Sequence, residues 1–230
     1  MNRTALVTGG SKGIGLAVVQ LFLRQGFEVI AISRAPGGLT ELKDQYRSKL
    51  HILPSDFTDM HQVSEAAENV SRIISKLDVL VNNAGMFIPG QIHTEEAGVY
   101  EKLMALNISA PYHLTRALLP LMTPHGEGYI FNMCSTASIT PYINGGSYCI
   151  SKHALLGFSK VLRQEMMAFN IGVSAILPGA TFTESWAGTE HPDSRFMTPD
   201  NVAECIWFAW QNRKNCVMEE ILLRPVKGDL

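Results

Sequence analysis

An α/β fold, with one doubly wound parallel sheet and helices on both faces, is what this sequence predicts. Three observations predict it. Apolar runs rich in Val, Ile and Leu alternate with helical runs along the chain. Those runs are continuously apolar, which is the pattern of parallel strands buried on both faces. A glycine-rich turn, TGGSKGIG at residues 8–15, follows the first apolar run and opens the first helical one, where folds of this class bind nucleotides.

The elements follow in order. Strands are expected at 5–8 (ALVT), 28–33 (EVIAIS), 51–56 (HILPSD), 79–85 (VLVNNAG), 129–134 (YIFNMC) and 172–179 (GVSAILPG), with a last one in EEILLRP, 219–225. Helical patterns lie between and after them at 15–25, 39–50, 60–76, 96–122, 147–167 and 199–212. No repeat, linker or low-complexity stretch interrupts the alternation. Residues 1–230 are therefore expected to form a single domain, with a dinucleotide-binding half at about 1–90 and a catalytic and substrate half at about 91–230. A chain of this size buries roughly 70% of its unfolded surface.

Composition narrows the function. The apolar fraction is 46%, the charged fraction 17% and the net charge −2, an ordinary globular balance. No basic stripe is present, which argues against a nucleic-acid partner. No apolar run reaches the length of a membrane span, and MNRTALVTGG has no signal-peptide layout. A cytoplasmic protein is expected. The four cysteines, Cys134, Cys149, Cys205 and Cys216, show no metal-binding spacing and are expected to be free, half-buried thiols. The seven histidines pair at no metal-ligand spacing either, so no metal is expected.

The glycine turn is read as a phosphate cradle. Gly9, Gly13 and Gly15 let backbone approach a ligand closely, and the following helix offers unpaired N–H groups and a positive dipole end. Ser11, Lys12 and Ile14 complete the turn. An acidic residue some 20 positions on would hold a ribose 2′-hydroxyl. This chain has Ser33 and Arg34 there. Arg34 can grip a 2′-phosphate in a bidentate way, and Lys12 adds a point charge. The pair predicts NADP(H) over NAD(H).

Tyr148 and Lys152 stand four residues apart in the helical pattern SYCISKHAL, one turn apart on one face. A Tyr-x-x-x-Lys spacing alone is common by chance. It acquires weight from its company. TGGSKGIG, the NNAG of residues 82–85, Ser135, and Tyr148 with Lys152 occur in an order and spacing that closely resemble the short-chain dehydrogenase/reductase family, over nearly the whole chain from residue 4 onward. The resemblance implies a Rossmann-type fold and hydride transfer between a nicotinamide cofactor and a carbonyl or alcohol.

It also implies roles. Tyr148 would be the general acid/base and Lys152 its tuner, since an adjacent ammonium lowers a phenol's pKa from about 10. Lys152 would also hold the nicotinamide ribose. Ser135 would orient the substrate oxygen. Asn107 would help a water connect Lys152 to solvent, and an Asn inside a helical pattern is the kind of local mismatch that function explains. Asp56 matches the adenine-contacting acid, although it, Thr58 or Asp59 would also suit a helix cap. Asn82, Asn83, Ala84 and Gly85 would steady the sheet beside the adenine ribose. Pro178 and Gly179 precede the nicotinamide contacts, with Thr181 and Thr183 where the carboxamide is held.

The substrate is written in less regular parts: Met86 to Ile88, Ile139 to Asn144, and the loop 183–197 expected to cover the pocket. Trp186, Phe196 and Met197 would make its rim apolar, and Arg195 is its one candidate anion clamp. A small-molecule ketone or aldehyde is expected, with a 3-oxoacyl thioester, a steroid or a pteridine as further options. By resemblance, the helices at 95–122 and 148–169 would build a homodimer or homotetramer. The alternative reading is a catalytically silent NADP(H)-binding sensor or scaffold on the same fold. The presence of all four of Asn107, Ser135, Tyr148 and Lys152 argues against it.

Overall fold

A computed structural model describes residues 3–186, 188 and 190–229. Seven parallel strands form one sheet in the order β3-β2-β1-β4-β5-β6-β7. They are β1 (Thr4–Thr8), β2 (Glu28–Ser33), β3 (Leu50–Pro54), β4 (Val79–Asn82), β5 (Gly128–Met133), β6 (Ile171–Pro178) and β7 (Glu220–Leu223). The order runs outward from β1 in one direction, then returns through β4 in the other. The switch between β1 and β4 opens a crevice at the carboxyl ends of the strands, the place where open α/β sheets bind ligands.

Alternation along each strand builds two core layers. Ala5, Val7, Val29, Ala31, Val79, Val81, Tyr129 and Phe131 face one side of the sheet. They pack against α1 (Gly13–Arg24) and α7 (Pro199–Asn212), whose Trp210 is fully buried. Leu6, Ile30, Ile32, Leu80 and Ile130 face the other side. There they meet α3 (Met60–Ile73), α5 (Ala110–Leu118) and α6 (Gly146–Met166). Each such large side chain contributes roughly 1.5–3 kcal/mol on burial, so both faces are covered and the strands have no polar side, as their uninterrupted apolar sequence requires. The remaining helices are α2 (Leu39–Tyr46) and α4 (Val99–Met104).

Three expectations are corrected. The helix expected over 96–122 is four pieces: α4, a π-turn at Ala105–Ser109, α5, and a 3-10 turn at Leu119–Leu121. Gly98, with φ +89°, delays its start, and Pro120 cannot supply the amide that would continue α5. NNAG is not strand beyond Asn82, because β4 ends there and Asn83 turns back onto β1. The cysteines are free, but Cys134 and Cys149 are buried and Cys216 is exposed: Cys134 packs with Leu155 and Leu156 of α6, and Cys149 lies in the first turn of that helix. Among the described residues no helix is long and apolar enough to cross a membrane, and no cluster of side chains could hold a metal ion.

Candidate functional site

The glycine turn is shaped by close approach. Gly9 and Gly13 take φ of +66° and +53°, which side chains disfavour. A Cβ on Gly15 would stand 2.1 Å from the carbonyl oxygen of Gly9, so only glycine lets α1 begin this near β1. Lys12, at the head of α1, makes no side-chain cap, and the first turn carries no acid. The helix thus presents uncapped amides toward the crevice. Ile14 packs into the core beneath, and the Ser11 carbonyl accepts from Gly38 N–H at 3.0 Å. An uncapped N-terminus behind a turn whose glycines at 9, 13 and 15 leave the backbone open to close approach fits an anionic pyrophosphate. The residues present therefore suit a dinucleotide.

Thr8 locks this turn to the NNAG segment. Its hydroxyl accepts from Asn83 N–H at 3.0 Å and from Ala84 N–H at 2.9 Å. Asn83 Nδ2 donates back to the carbonyls of Thr8 and Gly9. Asn82 is buried one strand over, where its amide donates to Thr115 and to Asn132. Sequence reasoning quotes Thr8 within TGGSKGIG but gives it no role, and it misses Thr115 and Asn132, which lie in no motif.

The second ribose region is mixed. Ser33 is buried and its hydroxyl donates to the Ala35 carbonyl, while Arg34 is exposed at the end of β2. Asp56 bonds its own turn, accepting from Thr58 N–H and hydroxyl at 2.9 and 2.8 Å. The Thr58 amide, ahead of any other influence, holds its carboxyl below the ordinary range, with Arg34 adding a smaller pull. Asp59 caps α3 through His61 N–H. Lys12 departs from expectation: its ammonium pairs with Glu184 of the loop after β6, so its charge is shared with a carboxylate rather than left open.

Beyond the crevice the four expected catalytic residues gather. Asn107 lies in the π-turn, a geometry that recurs at functional sites. It is 1% exposed. Its Oδ1 accepts from Met86 N–H at 2.9 Å, and its Nδ2 donates to the Met86 carbonyl and to Ser151 Oγ, both at 3.0 Å. Gly85 makes this possible, because a Cβ there would lie 3.2 Å from Asn107 Oδ1 and 3.5 Å from Lys152 Nζ. Lys152 is also buried, and Nζ donates to the Met133 carbonyl at 2.8 Å. Nζ stands 5.8 Å from the centre of the Tyr148 ring.

The expected direction of the Tyr148 shift is overturned. Burial pushes the phenol above its ordinary value, and a hydrogen bond with Ser135 pulls it part of the way back. Burial also depresses the Lys152 ammonium to about 8. Desolvation is the largest influence on both groups. Ser135 itself caps the short turn Thr136–Ser138, accepting from Ala137 N–H at 3.1 Å.

The remaining expected contacts flank these. Pro178 ends β6 and Gly179 N–H donates to the Leu223 carbonyl at 2.8 Å. Thr181 is buried and its hydroxyl donates to the Gly179 carbonyl. Thr183 reaches the glycine turn, its Cγ2 lying 3.2 Å from where a Gly13 Cβ would be. Phe87 sets its ring edge-on to Tyr148 at 4.9 Å. Trp186 and Phe182 both meet Phe196, but Met197 is buried rather than at a rim, and its N–H donates to the Ala180 carbonyl at 3.0 Å. Ala187 and Thr189 of this loop lie outside the described residues.

Comparison with known proteins decides the family. The model of short chain dehydrogenases matches residues 3–193. This chain belongs to the short-chain dehydrogenase family. Among its relatives, the NADP-dependent 3-hydroxy acid dehydrogenase of Escherichia coli strain K12 is 31% identical over 88% of this chain and 87% of its own length. The sepiapterin reductase of Chlorobaculum tepidum is 28% identical over 100% of this chain and 99% of its own. The closed form of serine dehydrogenase complexed with NADP+ matches with a TM-score of 0.88, at 27% identity, over 99% of this chain and 96% of that one. The seven-stranded parallel sheet is thus the family's Rossmann-type fold.

Proposed function

We propose that this chain is an NADP(H)-dependent oxidoreductase that reduces a small carbonyl compound, or oxidises the matching secondary alcohol, with Tyr148 as general acid/base. The observation that carries the reading is the convergence on Gly85 of Asn107 and Lys152, with Tyr148 and Ser135 in hydrogen-bond contact beside them. When bound, the nicotinamide exchanges a hydride with the substrate carbon. The protein's own residues do the rest. Ser135 and the Tyr148 hydroxyl grip the substrate oxygen, and Tyr148, protonated at neutral pH, gives it the proton. Lys152 and Asn107 lead the return path, with Ser151 between Asn107 and the Tyr148 carbonyl.

NADP(H) is favoured by Arg34 at the end of β2 and by relatives named for NADP. The relatives' substrates, a hydroxy acid, serine and a pterin by name, span too wide a range to fix this one. Phe87, Trp186 and Phe196 favour a partly apolar ketone or aldehyde. The outward apolar residues Tyr112 on α5 and Ile150 and Val161 on α6 favour a homodimer or homotetramer through those helices. Residues 1–230 act as one domain in this reading, because the crevice needs both halves of the sheet.

The test is NADPH consumption across ketones, aldehydes, 3-oxoacyl thioesters, hydroxy-acid precursors and pterins, with NADH and Tyr148→Phe protein alongside. The reading expects turnover that drops by about 10²-fold or more in Tyr148→Phe with NADPH still bound. Tight NADPH binding without turnover on any carbonyl would overturn it.

A further inference from the structure

The helix that carries Tyr148 and Lys152 begins without a cap of its own. Its N-cap residue is Gly145, which makes no side-chain bond to the first-turn amides. Those amides are unsatisfied donors at the positive end of a helix of 21 residues. Glu95, from the segment between β4 and α4, supplies an acceptor for one of them. Its Oε1 accepts from Ser147 N–H at 2.8 Å, and its Oε2 accepts from the Ser147 hydroxyl. Ser147 is buried, and it directly precedes Tyr148.

The surroundings are cut to admit this carboxylate. A Cβ on Gly146 would stand 2.0 Å from Glu95 Oε1, and one on Gly90 would stand 2.6 Å from Glu95 Cγ. Backbone seams the two segments together: Gly90 bridges Gly145, and Gly90 N–H donates to the Asn144 carbonyl at 3.0 Å. Gln91 Nε2 donates to Asn144 Oδ1 at 3.0 Å, while Asn144 holds φ +66°. The same segment begins with Met86, clamped by Asn107, and carries Phe87 against the Tyr148 ring.

We infer that Glu95 is a positioning residue for Tyr148: it caps α6 from outside and fixes the first turn of that helix against the Phe87 segment. The inference rests on the reading of Tyr148 as the general acid/base. Glu95 touches neither the phenol nor the reacting atoms, so it acts through the placement of Ser147 and the residue after it. A charge at a helix N-terminus also stabilises the helix, so a purely structural cap is the rival account.

Full-length Glu95→Ala and Glu95→Gln separate the two accounts. NADPH affinity is measured by fluorescence titration, and kcat and KM are measured per NADPH-binding site on the carbonyl that the unaltered chain reduces best. The expected result is a kcat about 10- to 100-fold lower in Glu95→Ala, the scale of a small misplacement of a reacting group, with NADPH affinity unchanged. Glu95→Gln, whose amide oxygen still accepts from Ser147 N–H, recovers most of that loss. An unchanged kcat per site in Glu95→Ala, or an NADPH affinity that falls in step with kcat, overturns the inference. Amide exchange at residues 146–149 needs no turnover. If the unaltered chain reduces no carbonyl, faster exchange confined to that turn in Glu95→Ala upholds the cap and leaves the reading of Tyr148 as what failed. Unchanged exchange there overturns the cap itself.

Discussion

Lys152 donates from Nζ to the Met133 carbonyl at 2.8 Å while almost sealed from water. That single bond does not offset the desolvation of an ammonium, and the group is depressed to about 8. The folded state therefore disfavours the charged form. Below pH 8 both folded and unfolded chains carry the proton, and the burial costs roughly 3 kcal/mol. Between about 8 and the ordinary lysine value the unfolded chain binds more protons, so this contribution to stability rises with pH. Lys152→Met should gain about 1–2 kcal/mol at pH 7, after the cost of leaving the Met133 carbonyl unpaired. Urea unfolding at pH 7 and near pH 10 checks it: the gain should shrink at the higher pH. Turnover should fall by about 10²-fold, so stability and activity move in opposite directions.

The Tyr148 phenol is raised by burial and lowered in part by Ser135. Reduction uses the protonated phenol and oxidation uses the phenolate. The reductive rate should hold level through neutral pH, whereas the oxidative rate should climb through the alkaline range. Ser135→Ala removes the bond that lowers the phenol, so the oxidative limb should move to still higher pH. It should also cost about 10²-fold in kcat, the scale of one missing oxyanion donor. Paired pH profiles of the two directions, with and without the substitution, measure both effects.

The sequence predicts that Arg34 and Lys12 share the 2′-phosphate, yet Lys12 pairs with Glu184. Arg34→Ala should therefore erase more of the preference for NADPH over NADH than Lys12→Ala. Removing a bidentate charge-assisted grip at Arg34 costs roughly 1.5–3 kcal/mol, or about 10- to 100-fold in the ratio of kcat/KM for the two cofactors. Glu184→Gln should release Lys12 and raise that ratio. An equal fall in the two alanine variants would assign Lys12 a full share after all.

Much of the fold is legible in the sequence because its signals are local. Strands such as EVIAIS carry an unbroken apolar middle between polar ends, so burial on both faces fixes their limits, and β2 spans that run in full. The glycines of TGGSKGIG are legible because the close approach of Gly15 to Gly9 admits no other residue. Tertiary choices are not legible. Nothing near Glu95 in the chain announces that it caps a helix starting at Gly146, because the partner is 52 positions away. The direction of the Tyr148 shift also escapes, since spacing reports that an ammonium is near but not how much water both groups give up. The break at Asn107 is half legible: an amide in a helical pattern points to a special role, but its three bonds to Met86 and Ser151 form only once the chain has folded.

Those three bonds make Asn107 the most exacting position in the site. Its amide oxygen and both amide hydrogens are engaged, and Ser151, which receives one of them, donates onward to the Tyr148 carbonyl at 2.8 Å. Asn107→Leu keeps the volume and removes every donor and acceptor. It leaves the part-buried Met86 N–H and carbonyl without their side-chain partners, at up to about 1–3 kcal/mol each. Thermal and urea unfolding should show a loss of roughly 2–5 kcal/mol by the same reasoning. Asn107→Asp keeps the acceptor for Met86 N–H and removes the two donors, so its stability should fall between those of the unaltered chain and Asn107→Leu. Its carboxylate would also lie near Lys152, since Asn107 Oδ1 and Lys152 Nζ both come within 3.5 Å of where a Gly85 Cβ would stand, and an opposite charge raises a lysine's pKa. The alkaline feature that Lys152 contributes to the rate profile should then move upward from about 8. A profile that does not move would mean that Asn107 shapes the Met86 turn without reaching the electrostatics of Lys152.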